Sequence, residues 1–397
     1  MEGARMDSHQ PTTRRGFLML SIAASASARL DSGVTQTNGW RGDYRVFSGG
    51  RIEGLRLKNR LVRSATAENA WHESAMSEEG IALYRGLAAG GVGLILSGFM
   101  GVMQEGRNND LQTLICDDRF IPSLSEIAGV VHATSRDCKI IAQIAHVGMQ
   151  AQVTEPVGPT TTGWPHLKTR THALTTQEVG QIVASFAQAT RRAREAGFDG
   201  VQFHAAHGYL LSSFLSPYTN TRTDRYGGSL RKRVTIIREI VEQARTLVGP
   251  DFPMLIKMNC DDFVEGGIDI RSFPPLAQEI EKAGIQAVEV SGNSPIRENI
   301  RAEEQSYFLK YAQQLKLKVP VILTGGNRSV ERLEEIARVG TPQFFGFARP
   351  LLREPDLPAR WLEGRGTAEA ACISCGRCIR GFSQGKPTRC RVNEVNL

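Results

Sequence analysis

Two groups of residues in this chain have the types and spacing that chemistry needs. The first is the run Val201-Gln202-Phe203-His204-Ala205-Ala206-His207-Gly208-Tyr209-Leu210, two histidines and a tyrosine close together. Imidazole and phenol side chains donate hydrogen bonds and move protons. On one continuous strand His204 and His207 would face apart, because strand side chains alternate with period two. With His204 at a strand end and His207 in the loop that follows, both turn to one point. The second group is a cysteine tail: Cys372, Cys375, Cys378 and Cys390 crowd into the end of a chain that has seven cysteines in all. Soft thiolates at this density suit an iron–sulfur cluster or zinc. In an exported protein disulfides are the alternative. Cys116, Cys138 and Cys260 read as ordinary buried thiols. His146 has no second ligand at a spacing that would make a metal site.

These residues need a frame, and the sequence predicts one. Short β-rich runs alternate with helical patterns from residue 60 onward. The expected strands are Arg60–Ser64, Gly93–Phe99, Ile140–His146, Gly200–His204, Pro253–Asn259, Ala287–Ser291, Pro320–Thr324 and Gln343–Phe347. Several are apolar on both faces, as in Val321–Thr324, which suits a parallel sheet covered by helices. Helical periodicity is expected over Thr175–Ala196, Ser229–Val248 and Ser329–Val339. Gly197, Gly249, Gly284 and Gly340 stand where left-handed C-caps belong. Eight βα units predict an α/β fold, a (β/α)8 TIM barrel with a single catalytic domain. The runner-up is an open doubly wound sheet, against which stands the missing G-x-G-x-x-G turn in the first unit. In a barrel, chemistry belongs at the C-terminal ends of the strands, and there His204 and His207 fall.

The run Ala196-Gly197-Phe198-Asp199-Gly200-Val201, followed by His204 to Leu210, Phe214-Leu215-Ser216-Pro217, Asn220 and Arg222 to Ser229, resembles the most diagnostic segment of the old yellow enzyme family. The resemblance extends from about Phe47 to Cys390. It implies FMN as cofactor, with His204 and His207 binding a substrate carbonyl oxygen and Tyr209 supplying a proton. It also implies flavin contacts from Ser64, Ala65, Thr66, Gly98 and Gln143. Lys257 stands where the family commonly has Arg, and a cation there stabilises the charge of reduced flavin. Gly325, Gly326, Ala348 and Arg349 match the phosphate end. The chain departs from the family pattern at Ala65 (usually Pro), Ala67 (usually Thr or Cys) and Ala348 (usually Gly). Its cysteine tail is similar to that of the dienoyl-CoA reductase and trimethylamine dehydrogenase branch, which binds a [4Fe–4S] cluster. That pattern has three residues between the second and third Cys, and this chain has two.

The bulk numbers agree with a globular protein: 397 residues, 41% hydrophobic and 22% charged. The net charge of +7 comes without a Lys/Arg run, so it reads as solvated surface rather than as a nucleic-acid footprint. No apolar stretch is long enough for a membrane span. Thr13-Arg14-Arg15-Gly16-Phe17-Leu18, an apolar run and Ala26-Ser27-Ala28 resemble a twin-arginine export signal. The expected organisation is therefore a signal peptide at 1–28, a linker at 29–42, the barrel at 43–366 and the Cys-rich tail at 367–397. The loop after the third strand, about Gln150–His172, is expected to cover the substrate, with Trp164 and His166 as candidates. The larger relatives continue into a domain for FAD and NAD(P)H. Here the chain stops seven residues after Cys390, so reduction is expected from NAD(P)H directly or from a redox partner protein. Three functions fit: reduction of an activated C=C bond in a small molecule, an amine dehydrogenase or demethylase, and a non-catalytic flavin/Fe–S electron carrier.

Overall fold

Eight short runs rich in Val, Ile and Leu form eight parallel strands, as their double-faced apolarity predicts. In the computed structural model, which describes residues 43–167, 171–293 and 297–394, they are β1 (Leu61–Arg63), β2 (Leu94–Leu96), β3 (Lys139–Ala145), β4 (Val201–Ala205), β5 (Met254–Asn259), β6 (Val288–Ser291), β7 (Val321–Leu323) and β8 (Phe344–Phe347). Each falls within a few residues of its expected range. The order β4-β5-β6-β7-β8-β1-β2-β3 closes on itself through the pairing of β4 with β3, in register Val201 with Ala142. All these residues belong to one unit, Thr37–Leu397. The expected signal peptide and linker, 1–28 and 29–42, lie outside the described residues.

A helix follows each strand: α1 (Glu78–Ala89), α2 (Ile121–Thr134), α3 (Thr176–Glu195), α4 (Thr235–Val248), α5 (Phe273–Lys282), the one-turn α6 (Leu309–Ala312), α7 (Val330–Val339) and α8 (Leu357–Leu362). The start of α3 is legible in its capping box, where Thr175 accepts from the Glu178 backbone and Glu178 accepts from the Thr175 backbone. The expected helix Ser229–Val248 is divided at Val234. Gly340 ends α7 in the left-handed conformation (φ 100°), where a side chain would be strained; Gly197, Gly249 and Gly284 also have positive φ.

The barrel interior changes character along its axis. At its N-terminal end, Val62, Leu94, Leu96, Ile141, Leu255, Ala287, Ile322 and Phe344 form an apolar plug with Ile52, Leu55 and Leu57 of an antiparallel hairpin. Two residues further along each strand, the side chains that share this inward face are Ser64, Gln143, Lys257, Glu289 and Thr324. The outward faces pack against the helices in one continuous core. Phe203 on β4, fully buried, meets Phe186 of α3 edge to face at 6.3 Å. Phe203→Ala should therefore lower the unfolding free energy by about 3–5 kcal/mol. Chemical denaturation of the two proteins measures it, and a loss below ~1 kcal/mol would mean that this part of the core is not packed as described.

Candidate active site

The C-terminal mouth of the barrel holds a cavity of about 240 Å³. Ser64, Ala65, Thr66, Gln143, His204, His207, Tyr209, Lys257, Gly325, Gly326, Ala348 and Arg349 all line it. Residues on seven different strands and loops, singled out from the sequence, thus meet at one place. Gly98 does not line the cavity. Its N–H is taken by Glu68 Oε1 at 2.8 Å, and that carboxylate is itself in a buried ion pair with Arg63 at 3.3 Å.

His204 and His207 lie with ring centroids 4.9 Å apart, and Tyr209 lies 4.7 Å from His204. Phe99 sets its ring edge-on to both Tyr209 (5.4 Å) and His204 (6.0 Å). His207 converges on His204 because its φ of 63° turns the chain sharply after β4. Such a conformation costs about 1–3 kcal/mol unless its surroundings hold it. Here the His207 N–H donates to Asn259 Oδ1 (2.9 Å) and its carbonyl accepts from Gln150 Nε2 (2.7 Å). Its Nε2 shares a hydrogen with Ser291 Oγ at 2.8 Å. His204 Nδ1 accepts from the Ala206 N–H at 3.3 Å, so the proton of the neutral ring sits on Nε2.

Burial pushes both imidazoles well below the usual histidine range, with His204 adding to the effect at His207 and Lys257 adding to it at both. Burial pushes the Tyr209 phenol up. At neutral pH the three groups are therefore two neutral imidazoles and one protonated phenol, all able to donate.

Beneath them runs a chain of polar groups. Gln143 Nε2 donates to Gln202 Oε1 (2.6 Å), Gln202 Nε2 to Glu289 Oε2 (2.7 Å), and both Ser64 Oγ (2.7 Å) and Lys257 Nζ (3.2 Å) to Glu289 Oε1. Sequence reasoning named Ser64, Gln143 and Lys257 but missed Gln202 and Glu289. The available signal was a glutamate inside an apolar strand, in phase with the inward residues Ala287 and Ser291.

At the far end of the cavity, Gly325 (φ 93°) and Gly326 (φ 79°) bring backbone close to Tyr307; a Cβ on Gly325 would come within 2.6 Å of the Tyr307 and Phe308 rings. Arg349 Nη1 is buried there without a hydrogen-bond partner among the described residues; Arg328 Nε also lacks a hydrogen bond but lies 4.0 Å from Glu369 Oε2, and Arg328 Nη1 donates to Ile300 O at 3.1 Å. An unpaired cationic donor, Arg349, at the end of a cavity fits a phosphate group. Arg328, missed from the sequence, lies two residues past the recognised Gly pair.

Trp164 and His166 do not line the cavity. Trp164 is buried, and its indole N–H donates to Gly208 O at 3.0 Å, so it braces the histidine loop instead. His166 is exposed. His146 is buried, and its Nδ1 accepts from the Gly148 N–H at 3.0 Å. Cys138 and Cys260 are buried as expected, while Cys116 is half-buried.

The tail closes over the mouth. Thr388 N–H donates to Glu68 O (2.7 Å) and Asn69 Nδ2 to Phe382 O (2.9 Å); Cys378, Ile379, Phe382 and Thr388 line the main cavity. Cys372, Cys375, Cys378 and Cys390 together line a second, smaller cavity with Arg349, Arg353 and Arg391. All four are free thiols. Among the described residues no three ligating side chains stand close enough for one metal ion. Soft thiolates that share one cavity with arginines have the chemistry of an iron–sulfur ligand set.

The buried histidines give the stability a defined pH dependence. Burial lowers His146 to about 4 and holds His204 well below the usual histidine range. The unfolded chain takes up protons near the ordinary histidine pKa while the folded chain does not. Their contribution is thus full above about pH 6.5 and falls as the medium is acidified, by up to about 1.4 kcal/mol per pH unit for each histidine. Denaturation midpoints measured from about pH 7 down to about pH 5 should fall, and less steeply in His146→Gln.

Comparison with known proteins agrees with this geometry. The family model described as NADH:flavin oxidoreductase / NADH oxidase matches residues 46–368. An NADH oxidase from Thermoanaerobacter brockii is 36% identical over 365 residues, covering 88% of this chain and 56% of that protein. This chain therefore spans little more than half of that relative. A 4,4'-dithiodibutanoate disulfide reductase from Rhodococcus erythropolis is 30% identical, over 88% of this chain and 95% of its own length. Among solved structures, a 2-naphthoyl-CoA reductase complexed with 2-naphthoyl-CoA superposes with a TM-score of 0.81 at 25% identity, over 88% of this chain and 57% of that one. A closed eight-stranded barrel, the cavity at its mouth and the match over 46–368 lead to one conclusion: the chain belongs to the NADH:flavin oxidoreductase / NADH oxidase family, that of the old yellow enzyme barrels.

Proposed function

We propose that this protein is an FMN-dependent oxidoreductase that reduces an activated C=C bond, with NAD(P)H or a redox partner protein as electron donor. The observation that carries the proposal is the pair of neutral imidazoles, His204 and His207, beside the protonated Tyr209 at one end of a cavity whose other end has the unpaired donor of Arg349. Ser64, Ala65, Thr66, Gln143 and Lys257 would hold the flavin ring, and Gly325, Gly326, Ala348, Arg328 and Arg349 its phosphate. When bound, FMN supplies the hydride for the substrate β-carbon.

The chain's own residues do the rest. Donors from His204 and His207 bind the carbonyl oxygen and stabilise the negative charge that develops on it. Neutral imidazoles can fill this role, since each keeps one N–H to donate. Tyr209 Oη transfers a proton to the α-carbon, which together with the hydride completes the two-electron reduction. Phe99 fixes the Tyr209 ring, and the tail residues Ile379 and Phe382 exclude water from above.

The Cys tail supports a second cofactor, a [4Fe–4S] cluster held by Cys372, Cys375, Cys378 and Cys390. Arg349 borders both cavities, so a cluster there would stand next to the flavin phosphate end. Such a group carries single electrons, which suits a protein donor. The twin-arginine pattern at Thr13–Leu18 favours export, where NAD(P)H is scarce and a partner would be needed.

Two measurements test these readings. Tyr209→Phe should bind FMN normally yet reduce an enone about 10²–10⁴ times more slowly; unchanged turnover would remove Tyr209 from the chemistry. The purified protein should show flavin bands near about 370 and 450 nm. With the cluster it should also show a broad shoulder near about 400 nm, bleached by dithionite and lost in Cys390→Ser. A colourless protein that takes up no FMN would overturn the proposal.

A further inference from the structure

Glu289 is a fully buried carboxylate that touches nothing in the cavity, yet it is bound to the residues that do. Its Oε1 accepts from Ser64 on one side and from Lys257 on the other, at 2.7 and 3.2 Å. Its Oε2 accepts from Gln202, which in turn accepts from Gln143. Ser64, Lys257 and Gln143 belong to three different parts of the barrel wall, and all three line the cavity floor.

A barrel layer at this depth is ordinarily filled by branched apolar side chains. A carboxylate and an ammonium here cost several kcal/mol of desolvation per ion, which their pairing offsets only with good geometry. Leucine or methionine would fill the same volume without that cost. The neighbouring strand β8 makes room for the arrangement: a Cβ on Gly346 would collide with Ser64 Oγ and Thr324 Cγ2. The side chains of Ser64 and Glu289 therefore depend on a glycine on strand β8, beside Ser64.

We infer that Glu289 is a positioning residue that orients Ser64, Lys257 and Gln143 toward the flavin ring and sets how much of the Lys257 charge the flavin feels. The inference rests on the FMN reading above. Two-electron reduction of a bound flavin with uptake of one proton leaves one negative charge on it, which a nearby cation stabilises. Lys257 supplies that cation, and Glu289 offsets part of it. Removing the carboxylate charge while keeping its shape should make the bound flavin easier to reduce. Removing the ammonium should make it harder to reduce.

The experiment is a spectroscopic redox titration, with dithionite as reductant, of the FMN-loaded protein and its variants. Glu289→Gln should shift the flavin midpoint potential upward, Lys257→Met should shift it downward, and Glu289→Asp, which keeps the charge, should stay close to the parent. A purely structural role would alter FMN affinity or stability without this dependence on charge sign. FMN-loaded Glu289→Gln at the parent potential overturns the inference while leaving the FMN reading intact; a parent protein that takes up no FMN overturns both. If Glu289→Gln does not fold, Lys257→Met and Lys257→Met/Glu289→Gln decide the matter. The double variant should lie at the higher potential, and equal potentials overturn the inference.

Discussion

The structure depends on one constraint: polar groups inside a closed barrel must find all their partners inside it. Water cannot reach Glu289, so each of its oxygens must be met by a donor from the barrel wall. Ser64, Lys257 and Gln202 are those donors, and they sit on three strands distant in sequence. The register of β1, β4, β5 and β6 is thereby tied to a set of hydrogen bonds as well as to apolar packing. A slip of one residue in any of them would turn the inward side chains outward. The apolar plug below supplies the burial; the polar layer above it sets the orientation of what lines the cavity.

The histidine pair follows from the same constraint. The loop after β4 reverses through a positive φ at His207, a conformation that an isolated chain avoids. It persists because Asn259 at the end of β5 and Gln150 beyond β3 hold the backbone on both sides. Trp164, from the loop expected to cover a substrate, is instead spent on Gly208 next door. Three separate segments thus fix one turn, and that turn brings two imidazoles and a phenol together in an environment dry enough to keep the imidazoles neutral. Positions of donors and their protonation states have a common origin in packing.

Much of this was legible in the sequence. The eight strands show as short runs apolar on both faces, and the helices as amphipathic patterns closed by Gly197, Gly249, Gly284 and Gly340. Residues that line the cavity were legible where they sit at strand ends inside a recognisable run, as with His204 to Tyr209. What stayed hidden depends on contacts between distant segments. Glu289 and Gln202 look like isolated polar residues until the closed barrel sets them beside Ser64 and Gln143. Gly98, a flavin contact by resemblance, gives its N–H to Glu68, whose pairing with Arg63 no local pattern encodes. Trp164 and His166 were chosen for their loop, whose path no local pattern encodes. Arg328 was passed over because its loop carried a stronger signal two residues earlier.

The cysteine tail brings the argument back to charge. Its four thiols share their small cavity with Arg349, Arg353 and Arg391, and Arg353 Nη1 lies 3.7 Å from Cys390 Sγ. Arg391 is paired with Glu394 at 2.8 Å, whereas Arg349 and Arg353 form no ion pair among the described residues. A cavity of four neutral thiols would gain nothing from two such cations. Four thiolates carrying iron would gain a great deal, because a cluster of that kind is an anion whose charge must be balanced away from bulk water. Arg349 also faces the cavity whose far end fits a phosphate. One guanidinium therefore borders both cavities. The tail thus sets its thiols and two unpaired arginines side by side at the rim of the main cavity.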